Sequence, residues 1–174
     1  MLISKQPPRY KLGNSTYFLT FNTFDRLKIL HNKDNAEFLI EELKFYSKKI
    51  KTLIAYTIMR EHIHLLVEIL NPEELSNFLR DFKKFTSKGI KKRLGLSMPH
   101  IWLRGTMDHC IREIETEDDF MNHLKYIFYN SKKHLNILPK DFPYHNFLEF
   151  VDKEYFDINY CDCDEKPFMK KLYD

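Results

Sequence analysis

The stretch Tyr56-Thr57-Ile58-Met59-Arg60-Glu61-His62-Ile63-His64-Leu65-Leu66-Val67-Glu68-Ile69 decides the fold reading. From His62 onward it reads as a strand, with the β-formers Ile63, Leu65, Val67 and Ile69 at alternate positions. Side chains alternate across a strand, so His62 and His64 share the face opposite that apolar set, and the apolar face fixes the register. Two imidazoles side by side suit one shared metal ion. Two partly buried, hydrogen-bonded histidines are the other reading of the same spacing.

Working outward, Lys51 to Arg60 is also extended and pairs with Glu61 to Leu70, although no turn signal places the bend between them. Upstream, Tyr17-Phe18-Leu19-Thr20-Phe21-Asn22-Thr23-Phe24 predicts a first strand after an Asn14-Ser15 turn. Asp34 to Lys49 predicts a helix capped by Asp34, with Phe38, Leu39, Leu43 and Tyr46 at helical spacing. Downstream, Asn71-Pro72-Glu73-Glu74 combines a cap residue, a first-turn proline and acidic first-turn residues, so a second helix follows. Its apolar stripe is Leu75, Phe78, Leu79, Phe82 and Phe85, with Arg80, Lys83, Lys84, Lys88 and Lys91 beside or opposite it. Ser97-Met98-Pro99-His100 interrupts the pattern, and Ile101 to Arg112 returns to an extended reading as a fourth strand. The order strand, helix, strand, strand, helix, strand is the split βαβ, ferredoxin-like arrangement: an α+β fold with a four-stranded antiparallel sheet, helices on one face, and a further C-terminal helix.

Bulk properties bound the rest. With 174 residues, 43% of them hydrophobic, 30% charged and only 4 Gly, the chain predicts one compact domain with a real core and no internal linker. We expect that domain at residues 1–148, followed by an acidic C-terminal extension at 149–174. The net charge of +3 is unevenly spread, with a basic run from Arg80 to Arg93 and an acidic one from Glu149 to Glu165. The basic run suggests a polyanionic partner, and the acidic run reads as a solvated end. No apolar run is long enough for a signal peptide or a membrane span, and the three cysteines Cys110, Cys161 and Cys163 are an odd count. Cys161-Asp162-Cys163 is too tight for an ordinary disulfide, so reduced thiols and a cytoplasmic protein are expected; a Cys-x-Cys zinc half-site is the alternative.

A second constellation lies far downstream, from Thr116 to Asn130. Thr116 with Asp119 resembles a capping box, and Phe120, Leu124, Ile127 and Phe128 form a packing stripe. Tyr126 falls on the side away from that stripe, with Asn122 and Asn130 on the same polar side. A tyrosine there is surface filler or a working hydroxyl, and Asn130 is a helix-end residue or a ligand. The remaining histidines, His31, His100, His109, His123, His134 and His145, have no spacing that assigns them a role.

Taken together, these pieces resemble the HUH single-tyrosine transposases of the IS200/IS605 type, especially the REP-associated tyrosine transposases. The matching segments are Tyr17 to Phe21, Met59 with Glu61 to Glu68, the strand from Trp102 to Arg112, and Tyr126-Ile127-Phe128-Tyr129-Asn130, in the family's order over roughly Tyr17 to Tyr144. One departure is local: the usual Asn-Pro-Val-Lys-His-Gly reads Asn130-Ser131-Lys132-Lys133-His134-Leu135, which predicts a longer or less sharply turned loop after the helix. The resemblance implies cleavage and strand transfer of single-stranded, hairpin-forming DNA, with Tyr126 rather than Tyr129 as nucleophile and a 5′-phosphotyrosine intermediate. It also implies a divalent cation, Mg²⁺ or Mn²⁺, held by His62, His64 and Asn130. The basic residues Arg80, Lys83, Lys84, Lys88, Lys91 and Arg104 could then track the DNA backbone, and Trp102 either stacks on bases or packs in the core. Rival readings are a non-catalytic nucleic-acid-binding module and a metal-dependent phosphohydrolase without a covalent adduct. A homodimer and a monomer are both compatible with the resemblance.

Overall fold

The computed structural model describes residues 13–111 and 116–160, the side chains of 116–118 excepted. The side chain of the capping-box threonine, Cys161-Asp162-Cys163 and the acidic run beyond 160 lie outside what the structure describes. The elements are β1 (Ser15–Asn22), α1 (Lys33–Tyr46), β2 (Thr52–Ile58), β3 (His62–Ile69), α2 (Pro72–Leu94), β4 (Met107–Ile111), α3 (Thr116–Leu135) and α4 (Phe147–Asp152). The sheet order is β2-β3-β1-β4 with every neighbour antiparallel, which is the ferredoxin-like topology.

Alternation along the two central strands sorts the side chains into two cores. Leu19, Phe21, Ile63, Leu65 and Val67 point to the layer formed by α1 and α2, where Leu39, Leu43, Phe78 and Phe82 meet them. Phe18 and Leu66 point the other way and pack against Leu124, Ile127 and Phe128 of α3 and Phe147 and Phe150 of α4. The helix carrying Tyr126 therefore covers the face on which the His62 and His64 side chains lie. Phe150 and Phe156 anchor the start of the acidic run in this second core, while its acidic residues Glu149, Asp152, Glu154 and Asp157 are exposed.

Local chemistry fixes the element ends. Asn71 Oδ1 accepts from the Glu74 N–H at the start of α2, and Glu74 returns bonds to the Leu70 N–H and the Asn71 amide. Gly95, at φ 61, closes that helix in the left-handed region where a side chain would be strained. At α1 the cap is Asn32, which accepts from the Asn35 N–H at 2.8 Å, and the expected cap Asp34 lies one residue inside the helix. The bend that the sequence left unplaced is Met59-Arg60-Glu61, closed by the Met59 N–H donating to His62 O at 2.8 Å.

Two expectations for the second half are corrected. The fourth strand begins at Met107, and Trp102 makes only an isolated bridge to Thr23. A buried indole N–H needs an acceptor, and Trp102 Nε1 donates to Thr86 Oγ1 at 2.9 Å on α2, with its ring edge-on to Phe21; it is core, not a base platform. Lys83 Nζ donates to Gly105 O and Thr106 Oγ1, holding the segment before β4 over α2, and Gly105 turns there at φ 87. Phe85, expected in the α2 stripe, is 46% exposed, and Thr86 takes the buried position instead.

Candidate active site

Register brings the site together. On β1 Thr20 pairs with His64 and Asn22 with His62, so these four side chains share one end of one sheet face. Phe18, two residues before Thr20, supports them: its ring stacks on His64 and meets Tyr126 edge-on. The ring of Tyr126 then stands 5.1 Å from that of His64, and the His62 and His64 rings are 4.7 Å apart, centroid to centroid. The side of α3 read as polar is thus turned toward β3: Asn130 is fully buried and Tyr126 partly so.

Asn130 uses its Nδ2 to donate to the Tyr126 carbonyl at 2.6 Å. A carbonyl only accepts, so this bond assigns the amide orientation and leaves Oδ1 as the outward atom. Asn130 Oδ1, His62 Nδ1 and His64 Nε2 are buried atoms with no hydrogen-bond partner. Buried polar atoms are seldom left so, and three lone-pair donors around one cleft form a set that fits a divalent cation. His64 Nδ1 lies 2.7 Å from Thr20 Oγ1; with the ring donating to the hydroxyl, the tautomer presents the Nε2 lone pair, the outer-shell arrangement of a metal-ligating histidine.

Electrostatics agree with neutral ligands. Burial, then the neighbouring His62 and His134, hold the His64 imidazole well below its usual pKa, and the nearby Asn130 amide only partly offsets this. Burial lowers His62 too, against the opposing pull of Glu61, whose Oε1 is 3.6 Å from its Nδ1. Both rings are therefore uncharged at neutral pH. Burial raises the phenol of Tyr126, with the Asn130 amide opposing, so the hydroxyl is protonated in the free protein.

The cleft, of about 250 Å³, is lined by Thr20, Asn22, Arg26, Glu61, His62, His64, Met107, Tyr126, Lys133 and His134. Composition and spacing did not single out Arg26, Glu61, Lys133 or His134. Arg26 donates from Nη1 to Asn22 Oδ1 at 2.8 Å and sits, with Asp25, at φ 54, a left-handed pair that non-glycine residues rarely adopt. Lys133 Nζ lies 5.5 Å from the centre of the Tyr126 ring. Lys133 and His134 reach the cleft because α3 does not stop at Asn130. Ser131 permits a further turn, and the helix ends at Leu135, followed by Asn136 at φ 57, with the Ile137 N–H donating to Ser131 O. The longer loop expected after Asn130 is therefore helix.

The basic residues of α2 lie in the layer across the sheet from this cleft. Arg80 pairs with Asp81, Lys83 holds the 105–106 backbone, and Lys91 donates to Pro99 O, while Lys84, Lys88 and Arg104 are exposed. Beside the cleft, on the far side of Phe18, His109, Asp119 and His123 form a group that could hold a metal ion, with ligand atoms all within 4.8 Å of one another. Sequence spacing gave no hint of it, because the group depends on how β4 docks against α3.

Residues 11–130 match the sequence profile of the family Transposase IS200 like, a span that ends on Asn130 and includes Tyr126. A protein of Haemophilus influenzae (strain ATCC 51907 / DSM 11121 / KW20 / Rd), provisionally described as a REP-associated tyrosine transposase, is 34% identical over 113 residues, which is 58% of this chain and 61% of that relative. The chain thus matches about three-fifths of that relative's length. Among solved structures, a REP-associated tyrosine transposase bound to a REP hairpin superposes with a TM-score of 0.74 at 22% identity, covering 94% of this chain and 96% of that one. That likeness is one of fold.

Proposed function

The chain belongs to the Transposase IS200 like family, and on that premise we propose that it cleaves and rejoins single-stranded, hairpin-forming DNA with Tyr126 as nucleophile. The observation that carries the reading is the convergence in one cleft of the Tyr126 ring from α3 and the His62 and His64 rings from β3, beside three buried lone-pair atoms lacking partners. Support for a hairpin substrate comes from the solved relative, whose description names a REP hairpin.

His62, His64 and Asn130 would hold Mg²⁺ or Mn²⁺ through uncharged donors. When bound, such an ion keeps its full charge for the phosphate oxygens and makes the phosphorus more electrophilic. Arg26 and Lys133 oppose one carboxylate, Glu61, so the cleft favours an anion and can seat the non-bridging oxygens of the scissile phosphate. The Tyr126 oxygen attacks phosphorus and loses its proton as the new O–P bond forms. The P–O3′ bond breaks, the departing oxygen gains a proton, and a 5′-phosphotyrosine and a free 3′-hydroxyl remain. A second 3′-hydroxyl reverses these steps on the phosphotyrosine and seals a new strand without an external energy source. The basic face of α2, with Lys84 and Lys88 outermost, together with Arg80, Lys83, Lys91 and Arg104, is proposed to attract DNA extending beyond the cleft.

The test is incubation of labelled single-stranded hairpin DNA with the protein or its Tyr126→Phe variant, with Mn²⁺ or EDTA, followed by denaturing electrophoresis. Label migrating with the protein only when Tyr126 and metal are both present is the expected result. Metal-dependent cleavage without an adduct identifies a hydrolase, and retention of DNA without cleavage identifies a binding module; either overturns the proposal.

A further inference from the structure

Asp119 lies in the first turns of α3, is 8% exposed, and has an imidazole on each carboxylate oxygen: His109 Nε2 at 3.2 Å from Oδ2 and His123 Nδ1 at 3.2 Å from Oδ1. A buried carboxylate needs a compensating positive charge, supplied by a protonated histidine or by a bound cation. Two details favour the cation. The 3.2 Å from His109, a long hydrogen bond, exceeds the roughly 2.7–2.9 Å of a charge-assisted N–H···O⁻ bond and is close to one edge of a tetrahedron whose centre lies about 2.0 Å from each ligand, within a set whose ligand atoms all lie within 4.8 Å of one another. The Nδ1 of His123, which is 1% exposed, donates to the Asp119 backbone carbonyl at 2.8 Å. That bond puts the ring's lone pair on Nε2, the tautomer that metal-ligating histidines adopt when their other nitrogen donates to a carbonyl.

We propose that His109, Asp119 and His123 form a second metal site, separate from the catalytic one, which takes a zinc-like first-row divalent ion and pins β4 to the helix that bears the nucleophile. Two imidazole nitrogens and one carboxylate oxygen are the donor set of zinc, cobalt or nickel rather than of Mg²⁺, which requires oxygen ligands in near-octahedral array. The ring of Phe18 separates the two sites, lying 5.4 Å from His64 on one side and 4.8 Å from His123 on the other, centroid to centroid. His109, with its side chain 27% exposed, is the open side through which an ion enters and where water completes the shell. His123 precedes Tyr126 by one helical turn, so an ion here limits rocking of the nucleophile without touching DNA.

The experiment uses untagged full-length protein, stripped with EDTA, equilibrated with zinc and counted by elemental analysis. The double variant His62→Ala/His64→Ala should bind one zinc per chain and melt at a higher temperature with zinc than without, and adding His109→Ala should abolish both effects. Cobalt should give the double variant the visible absorption of a tetrahedral site, lost again with His109→Ala. If the double variant does not fold, the count is taken on Tyr126→Phe with and without His109→Ala, where the loss of one of two ions is the expected result. No zinc in the double variant, or equal zinc with and without His109, overturns the proposal and leaves the three side chains as a hydrogen-bonded network.

Discussion

Thr20→Val removes one buried hydroxyl and tests whether His64 is a ligand. The two residues are a cross-strand pair, both nearly buried, and the Oγ1 to Nδ1 distance is 2.7 Å. Valine has nearly the same shape, so the sheet and Phe18 should stay in place. Binding an ion through Nε2 requires the proton on Nδ1, and with valine opposite, that N–H is buried without an acceptor, a cost of about 1–3 kcal/mol. The ion-free ring escapes part of this cost by moving its proton to Nε2, so the penalty falls mainly on the metal-bound state. It corresponds to a loss of roughly 10- to 100-fold in metal affinity, the range typical of removing an outer-shell partner. The assay is the rate of covalent adduct formation against Mn²⁺ concentration, with thermal melting of the ion-free protein alongside. Half-saturating Mn²⁺ should rise by about that factor, saturating Mn²⁺ should restore the rate, and melting should fall by only a few degrees. An unchanged Mn²⁺ requirement in a folded variant would refute the assignment of His64 as an Nε2 ligand. A rate loss that excess Mn²⁺ cannot restore would show that Thr20 acts in some other way.

Arg26→Ala and Lys133→Ala should each slow adduct formation and reduce the salt dependence of hairpin binding by about one ion, because each removes one phosphate contact, while half-saturating Mn²⁺ stays put; an unaltered rate in both variants would remove the proposed phosphate seat. Trp102→Phe should destabilise the fold by about 1–3 kcal/mol in urea melts, since Thr86 loses its indole partner, and should leave hairpin affinity unchanged; weaker binding by a fully folded variant would return Trp102 to a DNA-stacking role. Stability should fall on acidification from pH 6.5 toward 4. Burial lowers the His145 imidazole to about 4, so the unfolded chain binds its proton first, and stability is present above the unfolded pKa and lost as pH drops through this window. His145 alone contributes about 3 kcal/mol to that slope, so urea melts of His145→Gln should show a shallower decline, and an identical decline would contradict the assignment.

The parts of this molecule legible in its sequence are those set by short-range periodicity. Alternation placed β3 and put His62 and His64 on one face, and the i, i+4 spacing of Tyr126 and Asn130 on a strongly patterned helix placed those two one turn apart. The Asn71 cap followed from local chemistry in the same way. What was not legible depends on contacts between distant segments. The Ile101 to Arg112 segment has strand-like composition, yet the Trp102 indole finds its acceptor on α2 and Gly105 turns the chain, so beyond one isolated bridge at Trp102 the continuous ladder starts only at Met107. The left-handed backbone at Asp25 and Arg26 carries no compositional signature, and it brings Arg26 to a site from which nothing in its neighbourhood predicted a role. His109 and His123 looked unrelated because their meeting requires both the β1–β4 register and the docking of α3.

The same non-local packing explains a tension within the site itself. Burial of Tyr126 against Phe18 and His64 raises its pKa, which makes the phenol a poorer nucleophile in the free protein. A solvent-exposed tyrosine would ionise more readily, but it would attack from a freely rotating side chain and lose the entropic advantage of a fixed approach. Here the ring is held by two aromatic neighbours and by a helix that continues past Asn130, and that extra turn places Lys133 over the ring. A cation over the phenol ring and the geometry that holds that ring therefore come from one structural feature, the absence of a helix break at Ser131, and in the proposed mechanism that cation would ease loss of the phenolic proton. Ser131→Pro would remove the Ser131 N–H, clash with the preceding turn and release Lys133 and His134 from the cleft. Because Tyr126 and Asn130 precede the break, adduct formation should slow at neutral pH and recover as pH is raised toward the phenol's own pKa. A uniform loss across the pH range in a folded variant would mean that Lys133 serves the phosphate alone.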